Sequence, residues 1–385
     1  MPEQHSEFPV TRSFHSPASS PATCCPKDVL RPELLDWSSY HVPDSSGMVK
    51  LDAMENPYSL PAELQREMGT ILARAPINRY PDAGCTALKS RLRDYLSVPN
   101  GCEILLGNGS DEIIQILCMA VARPGATIMG VEPSFVMYRV SAAAAGAAYV
   151  SVPLTDDFQL DLQQMLEVMR NRRPALVFLA FPNNPTGNLF RRADVMQILD
   201  AAPGLVVIDE AYHAFARQSL MSELVSRPNL LIMRTLSKLG LAGLRLGMVV
   251  GRSAWIAEFD KLRLPYNVNV LSQLAADFVL SHVDLLERQA EQLLLERQCI
   301  IDALQGTPGV QVFPSDANFV TFRVADACAV FDGLKQRQVL IKNLHLAHPM
   351  LRNCLRVTIG TPAENRMFLH ALNELDWIRE NVHVG

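Results

Sequence analysis

The residue in this chain best suited to covalent chemistry is Lys238. It lies in the stretch Arg234–Gly247, directly after an apolar run, with Leu239, Gly240, Leu241, Ala242 and Gly243 following it. An ammonium group is poorly solvated among small and apolar neighbours, so its pKa falls. The neutral amine is the form that Schiff-base chemistry with a carbonyl requires. Thr235 and Ser237 offer hydroxyls beside it, and Arg245 offers a guanidinium that can grip a phosphate through two parallel bonds. Taken alone, an exposed loop lysine is the commoner origin of such a residue.

Three other stretches carry groups of the same kind. Leu105–Glu112 reads as a strand, a glycine-containing turn and a helix start. Backbone N–H groups at a helix start, with the Ser110 hydroxyl, form a seat for phosphate. An ordinary N-cap by Ser110 or Asp111 has the same appearance. Phe181–Gly187 follows a very apolar run and holds Asn183, Asn184, two prolines and a glycine. It predicts a rigid turn at the carboxyl edge of a sheet, where α/β enzymes place ligands. In Leu205–Tyr212 a buried strand ends in Asp209, a costly carboxylate unless it meets a cation or a donor. A protonated pyridine nitrogen would be such a partner and would keep the ring an electron sink. Capping of the next helix is the plainer role. Tyr212 is close enough to point into the same pocket.

Elements must bring these groups together. Short apolar runs occur at Glu103–Leu106, Thr127–Val131, Tyr149–Val152, Ala175–Phe181, Leu205–Ile208, Leu230–Met233 and Leu246–Val250. Helical spacing lies between them, as in Glu112–Ala122 and Phe135–Ala145. Continuous apolar runs separated by helices predict an α/β fold with a mostly parallel sheet covered on both faces. Val283–Gln305 predicts one long amphipathic helix ending near Gly306 and Pro308. Runs at Val310–Phe313, Phe319–Arg323, Val339–Ile341 and Cys354–Ile359, with helices at Ala325–Gln336 and Ala363–Trp377, predict a smaller α+β domain.

The bulk numbers agree with a sizeable core. The chain has 385 residues, is 49% hydrophobic and carries a formal charge of −5, which predicts two domains sharing one body. No basic stripe appears, which argues against nucleic acid. No apolar run approaches the ~18–20 residues of a membrane helix. The eight cysteines are scattered without metal spacing, so free thiols in a reducing cytoplasm are expected, and no metal. Residues 1–26, rich in Ser and Pro, predict a disordered tail. The N-terminus does not read as a secretory signal.

The order of the parts is more telling than any one of them. Phosphate turn, asparagine turn, strand-end aspartate, lysine and arginine follow one another along the chain. In this order it resembles the pyridoxal 5′-phosphate (PLP) enzymes of the aspartate-aminotransferase fold, fold type I. It is most similar to the histidinol-phosphate aminotransferase family. The matching stretches are Lys50–Tyr58 (KLDAMENPY), Arg79–Asp82 (RYPD), Gly107–Ile114 (GNGSDEII), Pro133–Tyr138 (PSFVMY), Pro182–Gly187 (PNNPTG), Asp209–Phe215 (DEAYHAF), Arg234–Gly247, Leu264–Asn269 (LPYNVN), Ala317–Val320 (ANFV) and Leu355–Thr361 (LRVTIGT).

The resemblance implies a seven-stranded large domain over residues 73–284. It further implies a small domain from 49–72 and 285–385; the residues between tail and small domain, 27–48, carry Leu34, Leu35, Trp37 and Tyr40 and read as an arm that packs on another surface, such as a second subunit. The resemblance implies that Lys238 holds PLP covalently and shuttles the reaction's proton. Asp209 would face the pyridine nitrogen, Tyr212 and Asn184 the ring hydroxyl, and Phe135 the ring face. Gly109, Ser110, Asp111, Thr235, Ser237 and Arg245 would surround the phosphate, with Tyr80 reaching one across a homodimer interface. Asn56, Tyr266, Asn267, Asn318, Lys342 and Arg356 would meet the substrate, Arg356 at its anionic end. The implied reaction moves an amino group between L-histidinol phosphate and 2-oxoglutarate, yielding glutamate. An aromatic-amino-acid transaminase and an L-threonine-O-3-phosphate decarboxylase are the alternatives. Three features depart from the family. Met54 stands where Asn is frequent and Lys342 where Arg is frequent. The stretch from Lys238 to Arg245 is one residue shorter than in many relatives, a tightening that Gly240 permits.

Overall fold

The computed structural model describes residues 25–35, 37 and 43–375. Contacts divide the chain into two units, Met1–Asp44 and Ser45–Gly385. Of the first, Pro26–Val29 and Pro32–Leu35 form short helical turns, with Val29, Leu30, Leu35 and Trp37 exposed. The tail expected over residues 1–26 lies almost wholly outside the described residues, as does Tyr40 of the arm.

The seven apolar runs become the seven strands of one sheet. They are β1 (Cys102–Asn108), β2 (Thr127–Glu132), β3 (Ala148–Pro153), β4 (Leu176–Ala180), β5 (Leu205–Asp209), β6 (Leu230–Thr235) and β7 (Leu246–Arg252). Their order is β1-β7-β6-β5-β4-β2-β3. The pairs from β6 to β3 are parallel, while β7 runs antiparallel to both of its neighbours. β1 therefore points the same way as β6, and both deliver their carboxyl ends to one edge. Between β1 and β3 lie helices α1 (Ser110–Val121) and α2 (Met137–Ala144).

Alternation along the strands feeds two cores. In β5, Val206 and Ile208 join one hydrophobic cluster while Leu205 and Val207 join the other. All are buried, which is why the strand reads as a continuous apolar run. The same alternation puts Asp209 on the face of Leu205 and Val207, the face that also holds Phe178 and Tyr138.

A third cluster builds the remainder. Helix α3 (Val283–Gln305) places Leu286, Ala290, Leu293, Ile300 and Leu304 on one buried stripe. The second sheet contains β8 (Gln311–Val312), β9 (Phe319–Arg323), β10 (Lys342–Asn343) and β11 (Cys354–Thr358), in the order β10-β11-β9-β8. Helices Ala327–Gln336 and Pro362–Asn373 cover it. The helix expected to reach Trp377 ends at Asn373, and Trp377 lies outside the described residues. A short parallel ribbon pairs Val49–Lys50 with Val339–Leu340.

Candidate active site

One cavity collects the groups at the carboxyl edge of the large sheet. β5 ends in Asp209, and β6 ends in Thr235 just before Ser237 and Lys238. β4 leads into Asn184, β2 into Phe135, and β1 through Gly109 into α1, while Arg245 immediately precedes β7. Ser110, Asp111, Phe135, Asn184, Asp209, Tyr212, Thr235, Ser237, Lys238 and Arg245 all line this cavity. These are residues spread over more than a hundred positions, joined because strands of one sheet deliver them to one edge.

Burial sets the electrostatics. The Lys238 amine is held down to about 8, first by desolvation and then by the charge of Arg356. Its Nζ donates to Ala53 O at 3.0 Å. Asp209 is pushed up to about 6 by its burial; hydrogen bonds from Tyr138 and the Ala211 N–H oppose that rise. Burial also raises the Tyr212 phenol, so it stays a donor.

One end of the cavity lies at a helix start. Gly109 is the N-cap of α1 with φ 88°, and no side chain caps the helix start. Neither Ser110 nor Asp111 takes the capping role. A Cβ on Gly109 would lie 2.7 Å from Arg245 Nη2, and the backbone there, at φ 88°, is one that L side chains rarely adopt, so glycine suits the position. Arg245 also lies 3.4 Å from Asp111 Oδ2. Thr235 Oγ1 donates to Leu246 O and braces Ser237, accepting from its backbone N–H. Beyond Lys238 the chain turns through Gly240 at φ 132°.

A strap formed by residues 52–54 closes one side. Its three carbonyls accept in turn from Arg356 Nη2, Lys238 Nζ and Asn318 Nδ2. Met54 lines the cavity in the left-handed region, φ 52°. Thr358 Oγ1 accepts from its N–H at 2.9 Å. Arg356 stands behind the wall, with Nη1 donating to Asn184 Oδ1 at 2.5 Å and its plane over Phe319.

Several expected substrate contacts do not reach the cavity. Asn267 is occupied by Leu106 O and Glu112, and it accepts from Arg263. Asn318 is spent on Met54 O, although its Oδ1 is buried without a partner. Asn56 turns to Leu239 O and Gln289 and lines a separate cleft. Tyr266 stacks on Tyr80 at 4.4 Å, and Tyr80 is 79% exposed. Lys342 lies opposite Arg356 in the β10–β11 register and does not line the cavity.

Two features went unrecognised in the sequence. Tyr138, inside the PSFVMY stretch, lines the cavity and donates to Asp209 Oδ2 at 2.6 Å. Glu210, next to Asp209, is fully buried and takes two bonds from the buried Arg234, one from Ser219 and one from Leu220 N–H. The Asp-Glu pair at a strand end was the signal for it, since alternation sends the two side chains to opposite faces.

The model for the family "Aminotransferase class I and II" matches residues 46–372. The chain belongs to that family. Its transaminase relatives include "Histidinol-phosphate aminotransferase 1" of Ralstonia nicotianae, 53% identical over 348 residues, 89% of this chain and 93% of the relative. "Histidinol-phosphate aminotransferase 2" of Cupriavidus pinatubonensis is also 53% identical, over 89% of this chain and 95% of its own. Among solved structures, histidinol-phosphate aminotransferase from Sinorhizobium meliloti in complex with pyridoxal-5′-phosphate superposes with a TM-score of 0.81. It is 25% identical, over 91% of this chain and 98% of that one.

This aminotransferase is thus a PLP-dependent transaminase. The residues present suit the cofactor. A primary amine with a lowered pKa faces the same cavity as a buried carboxylate. At one end an uncapped helix start, hydroxyls and Arg245 form an anion seat that a Cβ on Gly109 would obstruct.

Proposed function

We propose that this transaminase exchanges the amino group of L-histidinol phosphate with 2-oxoglutarate. The products are 3-(imidazol-4-yl)-2-oxopropyl phosphate and glutamate, a step of histidine biosynthesis. The observation that carries the reaction class is the Lys238 amine and the Asp209 carboxylate in one buried cavity. The likeness to the R. nicotianae enzyme supports the substrate.

PLP, when bound, supplies an aldehyde that takes up the amino group and a ring that accepts the electron pair released at the substrate Cα. The chain does the rest. Lys238, largely neutral above about pH 8, would hold the cofactor through its aldehyde carbon with loss of water, and would give it up to the substrate's amine. Its Nζ then takes the proton from the substrate Cα and delivers it to the cofactor's C4′. Asp209 holds the proton on the pyridine nitrogen. Tyr212 and Asn184 bind the ring hydroxyl, and Phe135 covers the ring.

Gly109, Ser110, Asp111, Thr235, Ser237 and Arg245 hold the phosphate. Arg356, fixed by Asn184 and Asp52 O, binds the anionic end of the substrate, with Lys342 beside it. The exposed Tyr80–Tyr266 stack supports a homodimer in which Tyr80 completes the partner's site. Asn56, Asn267 and Asn318 shape the pocket through the backbone they hold. The large and small domains divide as residues 73–284 against 49–72 with 285–385. Among the described residues no helix is long and apolar enough to cross a membrane, which agrees with the cytoplasmic location we propose.

Spectral titration of the PLP-loaded enzyme tests this reading. L-histidinol phosphate and glutamate each bleach the visible band of lysine-bound PLP. Bleaching by phenylalanine with none by histidinol phosphate would transfer the assignment to aromatic amino acids. Carbon dioxide release from L-threonine phosphate would make the enzyme a decarboxylase.

A further inference from the structure

A buried phenol holds Asp209. Tyr138 Oη donates to Asp209 Oδ2 at 2.6 Å, while Ala211 N–H donates to Oδ1 at 3.0 Å. Each carboxylate oxygen thus has one protein donor and keeps a lone pair for a cation in the cavity. The phenol is fully buried. Its ring stacks on Phe178 at 4.7 Å with 5° between planes and meets Phe135 edge-on at 5.6 Å. Two aromatic contacts and one hydrogen bond leave the hydroxyl a single direction. Burial and the neighbouring Asp209 charge raise the phenol well above its ordinary range, so it remains the donor.

The carboxylate needs such help. Burial alone favours its neutral form. A neutral carboxyl opposite a pyridine would leave the ring nitrogen unprotonated and its electron sink weak. We propose that Tyr138 is a positioning residue: its hydroxyl keeps the Asp209 carboxylate ionised and in the rotamer that faces the cavity, so that the proton stays on the pyridine nitrogen. The inference rests on Asp209 being the partner of that nitrogen. It adds a third member, Tyr138, to the pair, and the Phe178 ring as its support.

Tyr138→Phe separates this role from packing, because it keeps both ring contacts and removes one oxygen. Apoprotein is loaded with PLP carrying ¹⁵N in the ring, and the nitrogen's chemical shift reports its proton. In the wild-type enzyme the nitrogen is protonated. In Tyr138→Phe the shift moves toward bare pyridine and PLP affinity falls about 10-fold, as expected for a lost bond to a charged group. The same pair of measurements is made in an Asp209→Asn background, where Tyr138→Phe adds no further loss. Unchanged shift and affinity in Tyr138→Phe overturn the proposal. An equal loss of affinity in the Asp209→Asn background overturns it too, since the effect would then bypass the carboxylate. A Tyr138→Phe apoprotein that does not fold would equally refute it, by showing that the hydroxyl serves the core. A bare nitrogen in the wild-type enzyme itself would instead contradict the role of Asp209.

Discussion

Lys238 and Asp209 have their titrations drawn toward each other by burial, the amine down to about 8 and the carboxylate up to about 6. Between those values the amine is mostly charged in the apoprotein and the carboxylate mostly ionised. Capture of PLP by the apoprotein therefore accelerates as pH rises toward about 8 and levels off above it, because only the neutral amine attacks the aldehyde. Stopped-flow absorbance from pH 6 to 10 reads this; a flat profile would place the amine's titration elsewhere. Lys238→Ala abolishes turnover, measured as glutamate formation, and normal turnover in that variant would refute the lysine's role. Both residues were legible in the sequence because an amine among apolar neighbours and a carboxylate ending an apolar strand each conflict with their surroundings. Tyr138 was not, because a tyrosine in a helical stretch conflicts with nothing. Its bond to Asp209 exists only once β4, β5 and α2 share one face of the sheet.

At the scale of elements, the turn after Lys238 is set by Gly240. A Cβ there would lie 3.0 Å from Asn56 Nδ2 and 3.3 Å from Leu286, on a backbone at φ 132° that L side chains rarely adopt. Gly240→Ala is expected to destabilise the protein by about 1–3 kcal/mol and to weaken PLP capture, measured by urea unfolding and by cofactor titration. Unchanged values in both would show that the turn has room to relax. All seven runs of the large sheet were readable from apolar continuity. The antiparallel course of β7 was not, since periodicity carries no direction. The two-residue strands Val49–Lys50 and β10 are too short to make any pattern. The strap at 52–54 was recognised only as a family motif. That its carbonyls take bonds from Lys238, Arg356 and Asn318 depends on β9 and β11 lying against it.

The whole molecule depends on contacts far apart in sequence. Glu210 and Arg234 form a buried ion pair beneath the site, with side chains 0% and 8% exposed. Glu210→Ala strands the guanidinium and is expected to cost about 3–5 kcal/mol, read as a lower urea midpoint. A loss under about 1 kcal/mol would mean that water reaches Arg234. The proposed homodimer makes a prediction for two subunits. Lys238→Ala and Tyr80→Ala chains, each impaired alone, form hybrids in which one site keeps both residues. Equal mixing should restore about a quarter of wild-type activity, since half of the dimers are hybrids with one intact site of two. Activity no higher than the average of the separate variants would remove Tyr80 from the partner's site. Composition forecast a large α/β core, but a contact across subunits is a property of surfaces; Tyr80 was named for one by the family resemblance alone, and its exposure beside Tyr266 supports that reading.

The most direct test of the amine at the centre of this site is borohydride reduction of the PLP-loaded enzyme followed by peptide mapping. Lys238 should carry the pyridoxyl group, and prior incubation with L-histidinol phosphate should abolish the labelling. A pyridoxyl group on another lysine, or on none, would contradict it.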